Sequence, residues 1–214
     1  MRLPETVSLW VRPVRQLLAD AEDARAMEQL APLAGEYLPW TSYSMRPAAI
    51  AAAMSDIVVN RRRQVVECGS GNSTVYAARL LRRLGEGHVT SVEHDAEWAA
   101  VTQGLLEREG LQDLVTVVHA PLVDGWYDRS RIPELPGIDL LVVDGPPAHE
   151  RHVERTRQPA FHHFASSLAT GATVILDDAW RHGERLVVKD WQQASGRRFA
   201  LERGGYAIAA PHVA

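Results

Sequence analysis

The stretch Gln64-Val65-Val66-Glu67-Cys68-Gly69-Ser70-Gly71-Asn72-Ser73-Thr74 decides the fold. An apolar run, Val65-Val66, meets two glycines, and Val75-Tyr76-Ala77-Ala78 then opens like a helix. Strand, glycine turn and helix start, in that order, form a nucleotide-binding arrangement. Gly69 and Gly71 carry no Cβ, so the chain can turn tightly and a ligand can approach its backbone. The free N–H groups of the helix start then face that ligand.

Outward from this turn the pattern is regular. Apolar runs of strand length occur at 64–68, 88–92, 114–118, 138–143 and 172–176, separated by helix-forming stretches at 74–84, 95–109, 148–169 and 183–195. That alternation predicts a doubly wound, mostly parallel, Rossmann-like α/β sheet. Residues 198–202 and 206–210 flank Gly204-Gly205 and read as a C-terminal antiparallel hairpin, which brings the sheet to seven strands. Before the first strand, residues 5–59 read as helices. Leu9, Val14, Leu17 and Leu18 have helical spacing, and Ala48 to Val59 is a strong helix former. Pro39 and Pro47 bracket a loop between them.

The bulk numbers bound the function. A length of 214 residues fits one α/β domain with a modest extension. Hydrophobic content of 46% and charged content of 23% are ordinary for a globular chain. The net charge of −4 implies no general affinity for nucleic acid or membranes. Cys68 is the only cysteine, which excludes an intrachain disulfide and suits the reducing cytoplasm. Met1 to Asp20 lacks a signal-like apolar core, and no run of about 18 apolar residues offers a membrane span.

Two ligands compete for the glycine turn. The dinucleotide fingerprint G-x-G-x-x-G needs a third glycine where this chain has Thr74. The pattern that is present, an acid two positions before G-x-G, resembles motif I of the class I S-adenosylmethionine (SAM) methyltransferases, E/D-x-G-x-G-x-G. Ser73 takes the place of the last glycine. SAM carries an ammonium and no pyrophosphate, and a carboxylate at the strand end suits a cation and repels a phosphate. The resemblance implies cofactor contacts from Glu67, Gly69, Ser70, Gly71 and Ser73. It also divides the chain into an N-terminal helical extension and lid, 1–60, and a SAM-binding domain, 61–214.

Ligands of open α/β sheets sit at the C-terminal strand ends. The second strand ends in Glu93-His94, 22 positions beyond Gly71. An acid there can accept both ribose hydroxyls, or it can merely cap the following helix; with the glycine turn it resembles motif II of the family, with His94 beside adenine. The third strand runs into Ala120, which by position resembles the adenine-lining segment. Trp126 and Tyr127 follow in a loop, where they could stack on a ligand or simply anchor the loop. The loop Ser42-Tyr43-Ser44-Met45 offers hydroxyls, and in related methyltransferases this segment contacts the SAM carboxylate, which implicates Tyr43 and Ser44.

The fourth strand ends in Asp144-Gly145-Pro146-Pro147 and the fifth in Asp177-Asp178. Adjacent carboxylates after a buried strand need a cation or donors, and three oxygen ligands suit Mg2+. The placement resembles metal-dependent O-methyltransferases of the catechol and sugar types, which implies a divalent cation on Asp144, Asp177 and Asp178. Sugar enzymes often have a second Asp where this chain has Pro146, so His149 is the nearest candidate base, with His182 second. Alternatively the acids cap helices or bind Arg181. Arg61-Arg62-Arg63 reads as a solvated turn, and Trp98 and Trp191 as packing residues.

The expected function is SAM-dependent methyl transfer to a hydroxyl of a small molecule, first a sugar or glycoside. In this scheme a metal on Asp144, Asp177 and Asp178 binds the acceptor hydroxyl and lowers its pKa, and His149 takes the proton. The alternatives are a metal-independent methyltransferase, a non-catalytic SAM-binding module and an NAD-dependent oxidoreductase. The expected partner is the small acceptor, with neither nucleic acid nor membrane, in a chain that could form a homodimer.

Overall fold

The computed structural model describes residues 5–148 and 154–211. Gln64–Cys68 (β1) lies at the centre of the sheet, parallel to His88–Glu93 (β2) on one side and Ile138–Val143 (β6) on the other. Val115–His119 (β3) extends the sheet beyond β2, and Leu168–Leu176 (β7) extends it beyond β6, both parallel. Ala200–Leu201 (β8) and Ala207–Ala209 (β9) then turn back as an antiparallel edge. The order is β3-β2-β1-β6-β7-β9-β8, the mostly parallel, Rossmann-like seven-stranded sheet expected from the sequence. Leu122–Val123 (β4) and Trp126–Tyr127 (β5) form a separate small hairpin.

The strand pleat sorts the core into two layers. Val65 belongs to one apolar cluster, and Val66 and Cys68 to the other, as alternation along a strand requires. The first layer holds Glu5–Leu30 (α1), Pro47–Val59 (α2), Asn72–Leu84 (α3) and Ala96–Arg108 (α4). The second holds Pro159–Phe164 (α5), His182–Ser195 (α6) and the β4–β5 hairpin. The loop between α1 and α2 reaches the start of α3. There the Pro39 carbonyl accepts from Asn72 Nδ2 at 3.2 Å, and Trp40 lies against Tyr76.

Three sequence expectations need correction. The helix expected over 148–169 is, in its described part, turns at 154–158 followed by the short α5. Pro159 explains this: it lacks an N–H and begins a helix instead of lying within one. The following strand therefore starts at Leu168, earlier than the apolar run suggested. Arg62 is not a solvated turn residue. Its side chain is buried, with Nε on Asp56 at 2.8 Å, Nη1 on the Gly171 carbonyl at 3.0 Å and Nη2 on Thr173 at 2.7 Å. A charge that far from water persists because each guanidinium nitrogen finds a partner; Arg62 thereby ties α2 to β7.

Parallel register places the site. Cys68 stands opposite Val92 on one side and Val143 on the other, Val143 opposite Leu176, and Glu93 opposite His119. Bonds between neighbours continue into the loops: Ala120 N–H to Glu93 O, Gly69 N–H to Val92 O, Asp144 N–H to Cys68 O and Asp177 N–H to Val143 O, all at 2.8–3.0 Å. Ala120, Glu93, Gly69, Asp144 and Asp177 therefore form one row across the sheet's C-terminal edge.

Candidate active site

The glycine turn is clamped from below. Thr74 Oγ1 accepts from the Gly71 N–H at 3.0 Å and donates to Glu67 Oε2 at 2.5 Å. Glu67 is buried at the end of β1 on the α3 side, and burial raises its carboxyl to about 7 against the lowering hydrogen bonds from Ser73 and Thr74. Its carboxyl thus braces the turn directly. Ser73 is buried in the first turn of α3. Gly69 has φ +93, and a Cβ there would meet the Gly145 nitrogen at 3.1 Å. Only glycine takes that backbone without strain, and the turn after β1 consequently rests against the turn after β6.

Glu93 joins the glycine turn to the end of β2. Its Oε2 accepts from Ser70 N–H at 2.8 Å and Ser70 Oγ at 3.1 Å, while Oε1 accepts from the His94 and Asp95 N–H groups. Burial alone would push this carboxyl up, but the bonds from His94, Asp95 and Ser70 outweigh it and leave it below its ordinary value. His94 Nδ1 pairs with Oε1 at 2.8 Å, and that bond raises the imidazole. The cap of α4 is Asp95, which accepts from Trp98 N–H at 2.8 Å, so Glu93 does not serve that helix as its N-cap. Trp98 does more than pack: its indole N–H donates to the Ser70 carbonyl at 2.6 Å. Ala120 is fully buried beside Glu93. Tyr43 and Ser44 lie in a turn closed on Thr41, with Tyr43 largely exposed.

At the other end of the row, one oxygen each of Asp144, Asp177 and Asp178 lies within 4.8 Å of the others. Asp177 is buried, and burial holds its carboxyl well above the ordinary value, aided by repulsion from Asp144 and Asp178. Burial also raises Asp144, to about 6, with Arg157 pulling the other way. Asp178 adopts φ 57, a left-handed backbone that Asp tolerates better than most residues. His149 lies outside the described residues, and His182 opens α6.

No motif singles out Arg157, yet its guanidinium bridges Asp144 and Asp178. Nη1 lies 3.2 Å from Asp178 Oδ2 and 3.3 Å from the Asp177 carbonyl, Nη2 lies 3.4 Å from Asp144 Oδ1, and Nε lies 3.2 Å from the Pro146 carbonyl. Arg181 adds a contact to Asp178 at 2.7 Å. The one signal for Arg157 was its place just before Gln158-Pro159. The proline starts a helix, which leaves Arg157 in a turn that can fold back over the strand ends. The three carboxylates have the spacing of a small hard-cation site, but two of them already serve a buried guanidinium. As arranged, Asp144 and Asp178 share a buried guanidinium, while the buried Asp177 Oδ1 has no hydrogen-bond partner among the described residues.

A family model described as a methyltransferase domain matches residues 66–179, from β1 to just past the aspartate pair. The chain belongs to this methyltransferase family. Its matched span takes in the glycine turn, Glu93 and all three aspartates. The chain is 30% identical over 148 residues to the catechol O-methyltransferase of Mycobacterium tuberculosis (strain ATCC 25618 / H37Rv), a match covering 67% of this chain and 60% of that protein. The fold is shared with the SAH-bound methyltransferase PaMTH1 of Podospora anserina, at TM-score 0.62 and 10% identity over 98% of this chain and 97% of that one. An O-methyltransferase from Bacillus cereus in complex with SAH gives TM-score 0.58 and 17% identity over 93% and 97%.

Proposed function

We propose that this methyltransferase-family chain uses SAM to methylate a hydroxyl of a small molecule. The observation that carries this reading is the contact between two loops. The Asp144 and Gly145 N–H groups both donate to the Cys68 carbonyl, at 3.0 and 2.7 Å, so the carboxyl cluster adjoins the glycine turn. Parallel strands are about 4.8 Å apart, so the row from Glu93 to Asp177 spans three such spacings, enough for an extended donor beside its acceptor.

In this reading the glycine turn, with Gly69, Ser70, Gly71 and Ser73, cradles the amino-acid end of SAM, while Glu93, His94 and Ala120 receive the nucleoside and Tyr43 and Ser44 approach from the α1–α2 loop. The acceptor oxygen attacks the methyl carbon, the carbon–sulfur bond breaks with its electrons going to sulfur, and SAH leaves. SAM is already activated, so the protein's work is alignment and proton removal. Asp144, raised to about 6, would take the hydroxyl proton, with His149 as the other candidate base. Asp144 is ionised above about 6 and protonated below it, so the transfer rate should fall about tenfold per pH unit below that value.

The catechol O-methyltransferase relative supports an aromatic diol as acceptor, while a sugar or glycoside rests on the acid arrangement alone. The divalent cation implied by the sequence would share the carboxylates of Asp144 and Asp178 with Arg157, and no step here requires it. The test is to incubate the chain with SAM and a panel of catechols and sugars and to look for methyl ethers by mass spectrometry. Formation of SAH with a methylated acceptor supports the proposal; SAM binding without transfer to any hydroxyl contradicts it.

A further inference from the structure

We infer that Arg157 supplies, from within the chain, the positive charge that the Asp144–Asp177–Asp178 cluster would otherwise take from a divalent ion, so that the cluster operates without metal. For catalysis this inference rests on the O-methyl transfer proposed above; for metal binding it stands alone.

The geometry is that of a built-in cation. The Arg157 side chain is 4% exposed, with donors reaching both acid-bearing loops, Pro146 O and Asp144 after β6 and Asp177 O and Asp178 after β7. A planar guanidinium is suited to bridging carboxylates from two directions. The turn that carries it is also held. The Gln158 carbonyl accepts from Trp191 Nε1 at 2.9 Å, Gln158 Nε2 donates to Asp190 at 3.1 Å, and Ala160 N–H donates to the Arg157 carbonyl at 3.1 Å. Trp191 is fully buried, so the backbone at Arg157 is fixed to the core of α6. Around the guanidinium stand Asp144, Asp177, Asp178 and, from the first turn of α6, the buried Glu184; Arg181 is the second cation. A divalent ion on Asp144 and Asp178 would compete with Arg157 for both carboxylates, and displacing the guanidinium would leave it buried without its acid partners.

Arg157 is a positioning residue. It holds Asp144 and Asp178 in place and offsets their charge while the acceptor's proton passes to Asp144. The whole chain is titrated with Mn2+, followed by electron paramagnetic resonance, and methyl transfer from SAM is measured with and without excess EDTA. Expected are no stoichiometric Mn2+ binding by the wild type and rates unchanged within about twofold by EDTA. Arg157→Met leaves three carboxylates without their central cation; it should tighten Mn2+ binding by about tenfold or more and lower kcat by about tenfold, with KM for SAM little changed. Arg157→Lys keeps the charge but loses the planar fork, so it should recover only part of the rate while gaining no Mn2+ affinity. Should Arg157→Met lose its circular-dichroism signature, the wild type and Arg157→Lys still decide. One Mn2+ bound tightly by the wild type, or EDTA-sensitive transfer restored by Mg2+, overturns the inference. If no acceptor is methylated, the function proposed above fails, while the Mn2+ titration still answers for Arg157.

Discussion

Removing the Thr74 hydroxyl would strand two groups together: the Gly71 N–H loses its acceptor and the buried Glu67 carboxyl loses a donor. An unsatisfied buried polar group costs about 1–3 kcal/mol. Thr74→Val should therefore destabilise the chain by at least that much in thermal or denaturant unfolding, while Thr74→Ser should stay close to wild type. Glu67 gives a pH signature. Its folded value of about 7 lies above the ordinary 4.5, so the folded state holds the proton more tightly than the unfolded state. The resulting stability is fully present below the unfolded value and is lost as pH rises through about 7. At 1.36 kcal/mol per unit, the loss across that window is about 3 kcal/mol. Glu67→Gln should flatten the stability-against-pH curve between those values; an unchanged slope would show that Glu67 is not the group responsible. The sequence identified Glu67 as an acid suited to a cationic ligand. That it also braces the turn through Thr74 could not be read, because both acids and hydroxyls at such positions are consistent with ligand binding.

Between elements, the turns after β1 and β6 touch backbone to backbone. A Cβ on Gly145 would lie 3.0 Å from both the nitrogen and Cα of Gly69 and would collide with the Tyr127 hydroxyl. Gly145→Ala should push these turns apart and weaken SAM binding by about tenfold or more, measured by calorimetry, with smaller effect on stability. Asp56 and Arg62 make the corresponding link between α2 and β7, reinforced by Thr173, which donates to Asp56 at 2.9 Å. Breaking a buried ion pair by removing one partner costs about 3–5 kcal/mol, so Arg62→Ala should unfold at a markedly lower denaturant midpoint. The strands and the fold class were legible because β-runs and glycine turns alternate with helices at short range. Two features were not. Arg62 sits in a run of three arginines whose members look alike in sequence, and only the fold selects the one that faces Asp56. Arg157 reaches its acids across β6 and β7, and the local pattern around Pro159 records where a helix begins, not where a long side chain then lies.

At the scale of the molecule, the site is a consequence of register. Once β1 lies between β2 and β6, with β7 beyond, the residues after each strand end must stand side by side, the residues proposed to hold SAM at one end of the row and the aspartates at the other. That order was legible from the succession of strand-end motifs, and family membership agrees with it. The occupant of the acid cluster was not, because its spacing suits a metal and an arginine equally. Among the described residues no helix is long and apolar enough to cross a membrane. The central claim is that this edge joins a SAM site to a hydroxyl acceptor. Its most direct test is to incubate the purified chain with methyl-labelled SAM and a panel of catechols and sugars, following SAH and acceptor mass together. SAH should form in step with an acceptor that carries the labelled methyl on oxygen. A chain that binds neither SAM nor SAH and transfers no label would contradict it.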